Sequence, residues 1–270
     1  MPIRTASVRG VAALGLAVSA AAVGGGCARE AGEPALVFAA ASLADVLTEA
    51  AGEIGAGRPG GRIAFNFAGS NVLAEQILAG APAALFLSAD RRQVERLVAA
   101  GKVRREDAVT FAGNALVVVV PAADGDRGPA GERLAAPDEL LRFRRLALAD
   151  PQAVPAGVYA REWLEREGLW EGLAPRVVPA LDARAALAAV AAGHLDAGIV
   201  YATDARSTDR VQVVYRVPPE RAPAIEYVAA PLAGRGGGAA GELLAFLRGP
   251  DGRTLLRRHG FDPPAAPDGG

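Results

Sequence analysis

Cysteine is nearly missing from the 270 residues: Cys27 stands alone, so neither a disulfide framework nor a cysteine-rich metal cluster is available. There are two histidines, His194 and His259, and neither sits beside a second group of ligand-type residues, which leaves no zinc arrangement. Lysine is represented by Lys102 alone, arginine supplies the rest of the positive charge, and the formal net charge is −1. No basic stripe with interleaved aromatics occurs, so a nucleic-acid partner is not expected. Gly-x-Ser-x-Gly and Ser-x-x-Lys are both lacking, which removes support for nucleophilic catalysis. No apolar run reaches the roughly 20 residues that span a bilayer as a helix.

What is present is a chain with 51% hydrophobic and 22% charged residues, a globular balance. Its length suits one large or two modest domains. Residues 1–26 read as an export signal: Arg4 and Arg9, then an apolar stretch over 11–23, then Gly24, Gly25 and Gly26. Cys27 follows directly, and its placement resembles the lipobox of bacterial lipoproteins, although Gly24 stands where such boxes usually carry Leu. A lipid on Cys27 would be the sole membrane attachment, holding the exported protein in the periplasm or at the outer face of the cytoplasmic membrane. Loss of 1–26 leaves 27 basic and 30 acidic side chains, a net charge of −3.

Strand-like and helix-like patterns then alternate. Apolar runs at 36–40, 85–87, 116–120, 146–149, 199–201 and 225–230, with alternation at 63–67, read as strands. Helical spacing links Leu43, Val46, Leu47, Ala50 and Ile54, then Leu73, Ile77 and Leu78, then Val94, Leu97 and Val98, with further helices over 157–167 and 183–192. Such alternation predicts an α/β fold with largely parallel sheets covered on both faces. Polar, Pro-rich breaks at 121–137 and 218–223 suggest that the chain crosses to a second lobe near Leu116 and returns near Ile225. The expected organisation is one lobe from 34–115 with 224–262, another from 116–223, and a disordered tail over 263–270.

Four strand ends lead through a small or hydroxyl residue into a helix start. Ser42 has Asp45 three residues on, a capping-box pattern; Ser70 lies in Ala68-Gly69-Ser70-Asn71; Pro155-Ala156-Gly157 opens a helix; Asp182 precedes Ala183. Helix N-termini carry free N–H groups and the positive end of the dipole, so several converging ones form an anion site without a cationic side chain. Tyr201 adds a phenolic donor at a strand end. Each start taken singly is a routine N-cap, and the residues alone reach no further than an α/β protein with a possible anion site.

Several motifs in order carry a more specific resemblance. They are Phe38-Ala39-Ala40-Ala41-Ser42-Leu43, Phe67-Ala68-Gly69-Ser70, Gly80-Ala81-Pro82-Ala83, Leu87-Ser88-Ala89-Asp90 and Gly113-Asn114-Ala115-Leu116-Val117-Val118. Asp150-Pro151 with Val154-Pro155-Ala156-Gly157-Val158-Tyr159-Ala160, and Gly198-Ile199-Val200-Tyr201, complete the set. Their order and spacing, from about Ala35 to Phe261, resemble the periplasmic molybdate-binding protein family. The resemblance implies a type II periplasmic binding protein, two α/β lobes joined by a hinge with the ligand in the cleft. It implies capture of molybdate, and of tungstate, for an ABC importer with its permease and ATPase, by a monomer with no cofactor and no enzymatic activity. The contacts it implies are the hydroxyl and N–H of Ser42 and of Ser70, the N–H of Ala156 and of Ala183, and the Tyr201 hydroxyl. Two positions depart from the family pattern: Ala84 where relatives often have Asp, and Ala183 where some have Val. A receptor for another oxyanion such as sulfate, and an enzyme on the same two-lobed fold, are the competing readings.

Other features read as structural. Gly236-Gly237-Gly238-Ala239-Ala240-Gly241 fits a G-x-G-x-x-G pattern but lacks the following strand and acidic residue of a dinucleotide site, and reads as a flexible surface loop. His194 is expected to end a helix and His259 to lie in a last helical turn, while Trp163 and Trp170 are expected to pack.

Overall fold

The computed structural model describes residues 33–55, 62–122 and 133–264. The export segment 1–26, Cys27 and all but Pro263 and Pro264 of the expected tail lie outside the described residues.

Three strand–helix repeats come first: β1 (Ala35–Ala40), α1 (Ala44–Gly55), β2 (Ile63–Ala68), α2 (Ser70–Leu78), β3 (Leu85–Ser88) and α3 (Arg91–Ala99). β4 (Val109–Gly113) ends this run and β5 (Leu116–Pro121) opens the next. There follow β6 (Leu146–Ala149), α4 (Pro155–Arg166), the single turn α5 (Trp170–Leu173), β7 (Val177–Ala180) and α6 (Ala183–Ala191). The run closes with β8 (Ala197–Tyr201), the short α7 (Ala202–Ala205) and β9 (Val211–Arg216). β10 (Glu226–Pro231), α8 (Gly238–Arg248) and α9 (Pro250–Arg258) complete the described chain.

The strands form two five-stranded sheets, ordered β2-β1-β3-β10-β4 and β7-β6-β8-β5-β9. Both are mixed, which corrects the expectation of largely parallel sheets. β1 runs parallel to β2 and β3, and β6 to β7 and β8. β10 is antiparallel to β3 and β4, and β5 to β8 and β9. Parallel pairing needs a helical crossover between partners. β5 instead follows β4 directly, and β10 returns from the other sheet, so neither is bound to run parallel to its neighbours.

Strands read as unbroken apolar runs are buried throughout: β3, β6 and β8 have no exposed position, and Leu116 to Val120 of β5 are buried. That follows from helices on both faces of each sheet. Trp163 of α4 is wholly buried and stacks on Tyr215 of β9 at 5.9 Å, an aromatic pair that adds about 0.5–1.5 kcal/mol beyond its buried area. Edge strands read less clearly, and β7 even holds Pro179, tolerated because it lies at the sheet edge.

Two details differ from expectation. α6 ends at Ala191, and Gly193 takes a left-handed φ of 71°, so His194 lies beyond the helix rather than ending it. The glycine-rich stretch is not all loop: Gly237 is the N-cap of α8, and Gly238 to Gly241 form its first turn.

Candidate oxyanion-binding site

The parallel strands of both sheets end at one crevice, the place where open α/β sheets gather helix starts. β1 ends in the 3-10 turn Ala41–Leu43, which holds Ser42; β2 leads into Ser70 at the start of α2. From the other sheet, β6 leads to Pro155 and Ala156 in the first turn of α4, β7 to Ala183 at the start of α6, and β8 ends on Tyr201. Ser42, Ser70, Ala156, Ala183 and Tyr201 all line one cavity, together with Ala40, Gly69, Ala89 and Asp182 among others. The cavity offers about 20 Å³ to the centre of a water-sized sphere, room for a compact ion and far less than a sugar or peptide needs.

Among the described residues, no lysine, arginine or histidine lines the cavity. Its one carboxylate, Asp182, is spent as a helix cap, accepting from the Ala185 N–H at 2.9 Å. First-turn N–H groups have no carbonyl partner within their own helix, so the starts of α2, α4 and α6 bring free donors here.

The two serines do not cap their helices as the sequence pattern suggested. Ala40, not Ser42, precedes the turn before α1, and the Ser42 hydroxyl pairs with the Tyr227 hydroxyl at 2.8 Å. Gly69 is the N-cap of α2, so Ser70 is already helical; its Oγ accepts from the Ala89 N–H at 3.0 Å. Having accepted there, the Ser70 hydroxyl keeps its proton for a partner in the cavity.

Tyr201 is 2% exposed and its hydroxyl has no protein partner. A buried, unpaired polar atom costs about 1–3 kcal/mol, and one that faces a cavity has a place to recover it. Burial pushes the Tyr201 phenol well above its ordinary pKa, so it is a neutral hydroxyl able to donate.

Behind the lining lies an ion pair between a buried carboxylate and a half-buried arginine that the sequence did not mark. Asp204 of α7 is fully buried, with Arg184 Nε 2.7 Å from its Oδ1. Burial pushes the Asp204 carboxyl up to about 7, against the pull of Arg184 in the opposite direction. Arg184 also reaches Asp45 of α1 at 2.6 Å, joining elements of the two sheets across the crevice. Arg92 of α3 bonds Glu162 of α4 at 2.8 Å, and the Tyr159 hydroxyl donates to Asp90 at 3.3 Å, two further bridges of the same kind. Tyr227 and Asn114 are also contributors that local patterns could not reveal, since their partners are distant in the chain.

A family model described as bacterial extracellular solute-binding protein matches residues 35–262. The molybdate-binding protein ModA of Escherichia coli is 37% identical over 225 residues, which cover 83% of this chain and 87% of that protein. ModA of Haemophilus influenzae is 32% identical over 228 residues, covering 83% and 88%. Among solved structures, the periplasmic molybdate-binding protein of Azotobacter vinelandii superposes with a TM-score of 0.71 at 22% identity, covering 85% of this chain and 99% of that one, a likeness of fold. Two α/β lobes, strand ends gathered at a shared crevice, and a match over nearly all the described residues lead to one assignment: the chain belongs to the bacterial extracellular solute-binding proteins.

Proposed function

We propose that the protein captures molybdate, and tungstate with it, in its cleft and delivers the ion to the permease and ATPase of an ABC importer. The observation that carries this reading is the small cavity lined by Ser42, Ser70, Ala156, Ala183 and Tyr201, with no cationic side chain among the described lining residues and the Tyr201 hydroxyl unpaired at its wall. The molybdate-binding relatives supply the identity of the ion. A dianion that enters loses its hydration, and hydrogen bonds to a charged group, about 1.5–3 kcal/mol each, offset that loss when the donor set is complete. Sulfate has the same charge and shape but is smaller, so it leaves some buried donors unmet, and discrimination follows from fit.

Calorimetry on the mature protein with molybdate, tungstate, sulfate and phosphate tests this directly. One-to-one binding of molybdate and tungstate is expected, with sulfate weaker by roughly a hundredfold or more, as two or more unmet bonds require. Tight sulfate binding with no heat from molybdate would overturn the assignment.

In this reading residues 34–115 with 224–262 move as one lobe and 116–223 as the other, a division supported by the strand membership of the two sheets. An ion gripping both sides favours the closed arrangement, so the radius of gyration measured by X-ray scattering should fall when molybdate is added. An unchanged profile at saturation counts against it. The cavity is complete within a single chain, which supports action as a monomer. Extracellular solute-binding proteins work outside the cytoplasm, and we further propose that Cys27 is the lipidated N-terminus there. Mass spectrometry of the processed protein should find acyl chains on Cys27; a free Cys27 thiol in the mature chain excludes the anchor.

A further inference from the structure

Asn114 stands where the chain leaves β4 for β5, and its carboxamide reaches both lobes. Its Oδ1 accepts from the Ala115 N–H at 2.9 Å, which fixes the nitrogen on the other side of the amide. Nδ2 donates to Thr203 Oγ1 at 2.8 Å in one lobe and to the Tyr227 hydroxyl at 3.1 Å in the other. Tyr227 is wholly buried, and its hydroxyl meets Ser42 Oγ at 2.8 Å. Geometry alone leaves the donor in that last pair open, but the count of protons does not. The Tyr227 oxygen already accepts from Asn114, an amide nitrogen that can only donate. That oxygen could accept a second bond, but its own buried proton finds no acceptor besides Ser42 among the described residues, so it goes to Ser42, and Ser42, having accepted, turns its own proton into the cavity it lines.

We infer that Asn114 and Tyr227 are positioning residues that set the direction of a hydrogen-bond chain ending at Ser42, so that Ser42 is a donor before any anion arrives. The inference rests on the oxyanion reading of the cavity. It gives a role to the Asn114 of the Gly113-Asn114-Ala115-Leu116 motif, which is not among the described lining residues of the cavity. It also places the origin of the donor at the crossing between lobes, where Asn114 holds Thr203 as well. An aspartate at 114 reverses the chain: the carboxylate oxygen near Tyr227 accepts a hydrogen bond from the phenol, Tyr227 accepts one from Ser42, and Ser42 presents lone pairs to an anion.

The test is molybdate calorimetry at pH 9 on five variants, with melting of each unliganded protein as the check on folding. Asn114→Asp is expected to weaken binding more than a hundredfold, one charge-assisted bond being lost and turned to repulsion. Tyr227→Phe, which cuts the chain but leaves the Ser42 proton free, should cost less than about tenfold. The decisive protein is the double variant Asn114→Asp/Tyr227→Phe. It keeps the new charge but denies Ser42 an acceptor, and should bind at least about tenfold more tightly than Asn114→Asp alone. Asn114→Leu, with and without Tyr227→Phe, repeats the comparison without a charge: the single change leaves the chain direction free and costs about three- to tenfold, and Tyr227→Phe restores the loss. If Tyr227→Phe rescues neither background, or Asn114→Asp binds as wild type does, the directed chain is wrong. Absence of molybdate binding by the wild type would instead remove the oxyanion reading on which it rests.

Discussion

Gly157→Ala is expected to cost the protein both stability and ligand. Gly157 is the third residue of α4, and a Cβ there would lie 2.0 Å from the Ala149 carbonyl oxygen and 2.6 Å from that of Asp150. Both obstacles are backbone at the end of β6, so no side chain can swing aside, and the first turn of α4 must lift off the strand. Overpacking a tight core costs about 1–3 kcal/mol, and a clash with fixed backbone belongs at or above the upper end. The same displacement carries the Ala156 N–H away from the cavity, so affinity for molybdate should fall about ten- to a hundredfold through loss of one charge-assisted bond. Gly52→Ala is the contrasting change: nothing lies within 4 Å of the added carbon at this exposed position of α1, so it should gain about 0.5–1 kcal/mol and leave binding alone. A Gly157→Ala protein that melts and binds like the wild type would mean that α4 is not seated as described.

Tyr201→Phe should separate the two quantities that Gly157→Ala moves together. The Tyr201 hydroxyl is buried and has no partner in the protein, so deleting it removes a polar atom from an apolar setting. The unliganded protein should therefore melt no lower than the wild type. Affinity for molybdate should drop by about 1.5–3 kcal/mol, ten- to a hundredfold, because the hydroxyl is needed only when an oxyanion is present. If the melting temperature falls while affinity holds, Tyr201 is a packing residue and the contact set is wrong at this position.

The residues that carry these predictions were unequally legible in the sequence. Strands packed from both sides announced themselves, since Leu116 to Val120 and Leu146 to Ala149 have no polar residue to confuse the pattern. β4, β7 and β9 escaped because their exposed or half-buried positions carry Thr110, Pro179 and Gln212, which break the apolar signal at or near the sheet edges. The direction of β5 and β10 could not be read, because it depends on how the chain crosses between sheets rather than on any local period. Ser42 and Ser70 both line the cavity, but neither hydroxyl caps its helix as the local pattern suggests. A hydroxyl three residues before an acid looks like a cap, whereas the Ser42 hydroxyl turns to Tyr227, 185 positions away. Tyr227, Asn114 and the Arg184–Asp204 pair lay hidden for the same reason: each is defined by a partner that sequence spacing does not supply.

That no described lysine, arginine or histidine stands in the cavity wall also governs how a bound ion leaves. A receptor that hands on its cargo must give it up as readily as it takes it. Had the dianion been matched by two buried cations, departure would strand both charges in an apolar crevice, a cost of several kcal/mol set against opening. Hydroxyls and amides carry no such debt, because water replaces the oxyanion at each of them as the lobes part. Exit is then timed by the opening of the Arg184–Asp45 and Arg92–Glu162 bridges rather than by the breaking of an ion pair with the cargo. A transporter that pries the lobes apart then works against those bridges, the Tyr159–Asp90 hydrogen bond and a handful of dipoles, with no buried charge left behind by the cargo.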